Sequence, residues 1–272
     1  MVIDMINMAL YKKEMKSNLM VFLIFLGLSM LYGIIVTELF DPAIENQSWI
    51  EMLRDIYPEM LDFVGFNIGN LTNYQYFISG YLYGMLFIIF GLIFANILSN
   101  RLLFRYIDRG SIAFLLATPN SRTKIISTQI KVLGTYLSMM ALSMYLIVSV
   151  FGEIFNPSYV DFGKLLYLNI SFFLLLCFIS AIMALCHSLL DGKIAVGSSI
   201  GIPVFFFFLK LISNLGEQYE FVSYFTPFSL FDPILCVNYD GLSFVYNGIL
   251  IVLTAILYGL TIYGFNKRDL SV

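Results

Sequence analysis

The chain has 272 residues, 60% of them hydrophobic and only 12% charged, with a mean hydropathy of +0.86. That is about half the charge of an average soluble domain, and no soluble fold of this size has interior enough to hide so much apolar surface. The formal net charge of −3 conceals a segregation of the two signs along the chain, and the single histidine rules out an HExxH zinc pair.

Charge-free runs lie at 17–37, 63–100, 132–152, 165–190, 194–209 and 241–266. Five of these six exceed the length usually needed to cross a bilayer. The run 194–209 is short, but Lys210 can lift its ammonium to the interface on its long stem while 211–213 complete the span. The expected fold is an all-α membrane protein, one transmembrane domain over 1–272 with spans at 19–40, 76–98, 126–150, 165–189, 194–213 and 244–265. Of the 15 Lys and Arg, only Arg54, Lys164 and Lys210 then fall on the side away from the termini. By the positive-inside tendency both termini are cytoplasmic, and most of the 18 acids face outward.

In chain order, residues 1–18 put Ile3, Ile6, Met8, Leu10 and Tyr11 near Lys12, Lys13 and Lys16, which reads as a short interfacial helix ahead of span one. No cleavable signal is expected, because the first apolar run is a full span without a small-residue cleavage site after it. After Asp41-Pro42, the outer connection repeats apolar residues from Trp49 to Val64 at helical spacing, with Glu51, Asp55, Glu59 and Asp62 opposite. This predicts an amphipathic outer helix kinked near Pro58. Span two carries Gly80 and Gly84 four apart, a spacing that lets helices approach closely.

The inner connection 101–124 is basic at both ends and holds an apolar stretch, Ile112 to Ala117, too short to cross a membrane. A plain linker has no need of Ile112, Phe114, Leu115 and Leu116, and apolar side chains rimmed by charge suit a partner-binding surface. An interfacial helix dipping into the headgroups is the alternative. Span four ends at Cys186 and His187, and His187 is read as a packing or interface residue. Cys177, Cys186 and Cys236 form no evident disulfide framework. Span five carries Gly197, Gly201 and Pro203, then Phe205 to Phe208. The stretch 214–243 is too apolar for a solvated loop, and Pro227 and Pro233 predict short broken helices buried in the outer leaflet.

No GxxxxGK[ST] phosphate loop occurs, so the chain is not expected to bind and hydrolyse ATP. The span interiors also lack the ionisable group that ion-coupled transport normally requires. Work must then come from elsewhere, and a partner ATPase docking on the basic inner loop is the economical source.

The residues resemble the membrane permease subunit of ATP-binding-cassette exporters of the second bacterial type, over nearly the full length. The family's inner loop carries an acid, Gly, Leu-Leu, Pro, Arg and a later Lys, matched here by Asp108, Gly110, Leu115, Leu116, Pro119, Arg122 and Lys131. Asp108 stands where the family usually has Glu. The tail Phe265, Arg268, Asp269 and Leu270 is similar to the family ending. The resemblance implies a coupling helix around Arg105 to Leu116 seated on a separate ATPase subunit, two copies of which carry ATP and magnesium. It also implies a second permease copy, identical or related, with spans one, two and five at the interface. Within the family the chain looks most like permeases exporting amphipathic peptides, such as peptide toxins and lantibiotics.

The expectation is therefore a permease in the bacterial plasma membrane, with no cofactor or metal of its own and no nucleic-acid partner. Its cargo is apolar or amphipathic, because an interface without fixed charge cannot compensate a buried ion. Candidate path residues are Leu23, Phe25 and Tyr32 in span one, Tyr81 and Phe87 in span two, and Phe205 and Phe208 in span five. The rival readings are a secondary transporter of hydrophobic compounds and an intramembrane lipid-modifying enzyme.

Overall fold

The computed structural model describes residues 6–41, 73–108 and 121–268, and every regular element among them is helical. Among the described residues, six helices are long and apolar enough to cross a membrane: α1 (Met8–Glu38), α2 (Tyr74–Phe104), α3 (Arg122–Phe155), α4 (Phe162–Leu189), α5 (Gly192–Ser213) and α7 (Gly241–Lys267). The five-residue α6 (Pro233–Val237) lies between α5 and α7. Side-chain caps start several of them. Asn7 accepts from the Leu10 N–H, Ser121 from Lys124, Asp161 from Gly163 and Lys164, and Asp240 from Leu242.

The segment expected to lie apart as an interfacial helix is continuous with the first span. No proline interrupts α1, and no glycine precedes Gly27, so nothing in the chain breaks the helix between Met8 and the apolar run. With 31, 31 and 34 residues, α1, α2 and α3 reach about 46 to 51 Å, against a hydrocarbon thickness of about 30 Å. The surplus of each lies at the end that carries Lys12, Lys13, Lys16, Arg101, Arg122, Lys124 and Lys131, here called the basic end. Past Phe104, α2 runs on through Arg105–Asp108.

Two stretches of α2, Ser79–Leu86 and Asn100–Phe104, are wound as wider π turns. They flank a regular α-helical section, Phe87–Ser99. Such insertions are uncommon and mark places where a helix can change its winding.

The buried helix α4 packs against all of α2, α3, α5 and α7. The core is aromatic, with Tyr74, Tyr83, Phe87, Phe94, Tyr136 and Phe172 fully buried. A Cβ on Gly91 of α2 would collide with a Leu176 methyl of α4, so glycine is what allows these two helices their close approach. Beyond α5 the chain forms short 3₁₀ turns at Glu217–Phe225 and Pro227–Leu230, then α6. The broken segment predicted from the two prolines is therefore present. The outer amphipathic helix read near Pro58 lies outside the described residues.

Candidate functional site at the basic end

The protruding turns of α1, α2 and α3 are fastened to one another by polar bonds. The Asn7 N–H donates to Thr128 Oγ1 at 2.9 Å, and the hydroxyls of Tyr11 and Thr135 lie 3.1 Å apart. The buried Tyr136 hydroxyl donates to the Met15 carbonyl. These join α1 to α3 along parallel courses.

The junction of α1 with α2 centres on Glu14, a carboxylate only 4% exposed. The Tyr106 hydroxyl donates to it, and Lys13 Nζ lies 4.0 Å from the same oxygen and 3.4 Å from the Tyr106 hydroxyl. Burial, and then the neighbouring carboxylate, push the Tyr106 hydroxyl well above its ordinary pKa, so it remains a donor. Asn18, one turn along α1, donates to the Glu14 carbonyl at 2.9 Å, and Arg101 of α2 reaches the Ser17 carbonyl at 3.4 Å. A buried carboxylate is tolerable only with such donors and cations around it.

A second set of ties closes the same end. Arg122, at the start of α3, donates to the Arg268 carbonyl at 2.7 Å and so helps to satisfy the last carbonyls of α7. Arg268 in turn donates to the carbonyls of His187 and Ser188 at 2.9 and 3.2 Å and forms an ion pair with Asp191. A guanidinium at the end of α4 also opposes the negative pole of that helix.

Among the expected coupling residues, Arg105 is exposed on the last turn of α2, which Asp108 closes, and Arg122 is committed to α7. Gly110, Ile112, Phe114, Leu115, Leu116 and Pro119 lie outside the described residues, as do Asp269 and Leu270 of the tail. What the structure defines is the pair of roots from which 109–120 springs, Asp108 and Ser121, both standing on the fastened end. His187 is fully buried with its ring 5.6 Å from Phe104, and neither of its nitrogens has a partner among the described residues. Packing is thus its surroundings.

Sequence reasoning did not find Glu14 or Tyr106. The available signal was a single acid inside the Lys12, Lys13, Lys16 run, but its partner stands 92 residues away.

The expected path residues separate into two groups. Phe25 and Phe87 are buried within the chain, Phe25 against Phe94 at 5.3 Å and Phe87 against Tyr83 at 5.1 Å. Leu23, Tyr32, Phe205 and Phe208 are exposed on α1 and α5. Tyr81 is half-buried on Phe77, in the first wide stretch of α2. Beside that stretch, at the end opposite the termini, a cavity of about 270 Å³ is lined by Gly80, Gly84, Lys210, Phe231 and Asp232 among others.

Six long apolar helices with fastened, cation-rich extensions define a multi-pass membrane protein. A family model described as ABC-2 family transporter protein matches residues 8–270, and the chain belongs to that family. It is accordingly a membrane transporter permease of the ABC-2 type. Neither a curated protein nor a solved structure matches the chain.

Proposed function

We propose that this chain is the permease half of an ATP-driven exporter in the bacterial plasma membrane, with both termini cytoplasmic and a separate ATPase subunit beneath the basic end. Two ATPase subunits, holding ATP and magnesium, serve two permease copies, identical or related. The cargo is apolar or amphipathic, and amphipathic peptides fit best a path bordered by Leu, Tyr and Phe side chains without fixed charge.

One observation carries the reading. Both roots of 109–120 are built into the end where α1, α2 and α3 are bonded together, and Tyr106 joins α1 to α2 two residues before the first root. A load applied to 109–120 reaches α1 and α2 as one body rather than dissipating in a loop. The wide turns Asn100–Phe104 and Ser79–Leu86 then give α2 two points at which to change course. Closure of the ATPases on ATP would draw the two basic ends together and alter the packing of α1 and α5 between protomers.

The exposed apolar faces of α1 and α5 support a partner within the membrane, since among the described residues nothing lies within 4 Å of a Cβ position on Gly197 or Gly201 of α5. The test is association. Leu115→Asp and Leu116→Asp should each abolish copurification of a phosphate-loop ATPase subunit with this chain, with membrane insertion intact. Unchanged copurification contradicts the proposal.

A further inference from the structure

Between the protruding turns of α1 and α2 lies a cleft of about 340 Å³. Three cations line it, Lys13, Arg101 and Arg105, against one carboxylate, Glu14, which is already engaged by Tyr106. The cleft thus keeps an excess of positive charge. Arg105 is exposed and makes no hydrogen bond or ion pair among the described residues, and the Lys13 side chain is 66% exposed. Its wall is built rather than incidental. Asn18 is 1% exposed, its amide N–H is used on the Glu14 carbonyl, and its Oδ1 is buried without a hydrogen-bond partner among the described residues. An orphan acceptor of this kind is costly unless something donates to it.

The position of the cleft along the helices selects the ligand. Asn18 is the last polar residue of α1 before Leu19, Met20, Leu23 and Ile24, all exposed to the surroundings of the bundle. A molecule with its head in the cleft and its tails along those residues has the dimensions of a phospholipid. The head must carry an anionic phosphate for the guanidinium groups and a hydroxyl donor for Asn18 Oδ1. Arginine suits the first requirement, since its planar fork binds phosphate oxygens in pairs.

We propose that this cleft binds the headgroup of an anionic phosphoglycerol lipid from the leaflet at the basic end. The phosphate lies between Arg101 and Arg105, with Lys13 at the rim, and a glycerol hydroxyl donates to Asn18. The site rests only on the chain spanning a bilayer, so it stands or falls independently of any ATPase. Bound there, the lipid bridges α1 and α2 at the level of the second wide stretch of α2.

The test uses the full-length protein, delipidated in a neutral maltoside detergent, with native mass spectrometry of added dioctanoyl phosphatidylglycerol. Dioctanoyl phosphatidylcholine and soluble glycerol 3-phosphate are the comparison probes. Removing two cations, Arg101→Gln with Arg105→Gln, should weaken phosphatidylglycerol binding about thirtyfold, toward the phosphatidylcholine level. Lys131→Gln with Lys193→Gln removes equal charge from exposed sites elsewhere at the same end and should leave binding unchanged. Asn18→Ala should weaken phosphatidylglycerol but not phosphatidic acid, which lacks the headgroup glycerol whose hydroxyl is placed on Asn18. Should the double arginine variant not fold, Lys13→Gln at the exposed rim gives the same sign with a smaller loss. Equal losses in the control pair would show a diffuse charge effect and overturn the site. Competition by glycerol 3-phosphate at the lipid's own concentration would show a soluble-phosphate site and overturn the lipid.

Discussion

α4 and α5 follow one another across Leu190 and Asp191 and are alike in composition, yet they occupy opposite situations. In the most apolar stretch of α4, 67% of residues are buried, against 28% in α5. Per residue the two carry similar numbers of polar side chains, and what differs is where those side chains find partners. Asn169, Ser171, Ser180 and Ser188 are all buried on α4. Three of them have partners on neighbouring helices: the Tyr83 hydroxyl donates to Asn169 at 3.0 Å, Asn247 donates to Ser171 at 2.8 Å, and the Ser180 and Tyr258 hydroxyls lie 2.7 Å apart, while the Ser188 hydroxyl donates to the Leu185 carbonyl of its own helix. The exposed helix instead turns Phe205, Phe208, Gly197 and Gly201 away from the other described residues. In a bilayer, lipid tails are as apolar as leucine, so greasiness does not decide which helix goes inside. Polar groups seeking donors, and glycines admitting close contact, decide it.

Disturbing the close contact with α4 is expected to have the largest effect. Gly91→Leu forces a side chain into the space of Leu176 and should cost about 3 kcal/mol or more, at the upper end of overpacking penalties. Loss of the monodisperse peak in detergent size-exclusion chromatography is the measurement. Next comes Asn247→Ala, which removes donors to both Ser171 and the Tyr167 hydroxyl. It should lower thermal stability by about 1 kcal/mol, in the upper range for hydrogen bonds between membrane helices. Tyr83→Phe breaks a single bond, and about 0.6 kcal/mol is expected. A double-mutant cycle with Asn169→Leu should recover that coupling, and an additive cycle would show that the bond contributes nothing. At the other extreme, Phe205→Ala and Phe208→Ala should leave the unfolding midpoint of the isolated chain within a few tenths of a kcal/mol, because their contacts in the free chain are with lipid or detergent. A large loss there would show that α5 is held by its own chain after all.

The six spans were legible because charge-free runs of the right length have no alternative in a helical membrane protein. The broken outer segment was legible from Pro227 and Pro233, and the family from the inner-loop and tail residues. Which face of each span turns inward was not. Helices apolar all round give no phase, so Phe25 and Leu23, two residues apart, read alike although one is buried and the other exposed. Continuity of α1 was also missed, because a basic and apolar segment before a span has the same composition whether it lies flat or extends the helix. Of the basic end, the cations were visible but not their assignments. Arg122 holds α7, and Glu14 finds Tyr106, through contacts that only the folded chain creates.

The central claim is that the basic end transmits work from an ATPase through the Glu14–Tyr106 junction to α1 and α2. The most direct measurement is ATP hydrolysis by the purified partner ATPase, alone and bound to this chain in nanodiscs, with wild-type protein and with Tyr106→Phe. The account predicts stimulation by the wild-type chain and a marked fall of that stimulation in the variant while the two proteins still copurify. Hydrolysis at the same rate with and without the chain, or equal stimulation by both forms, would contradict it.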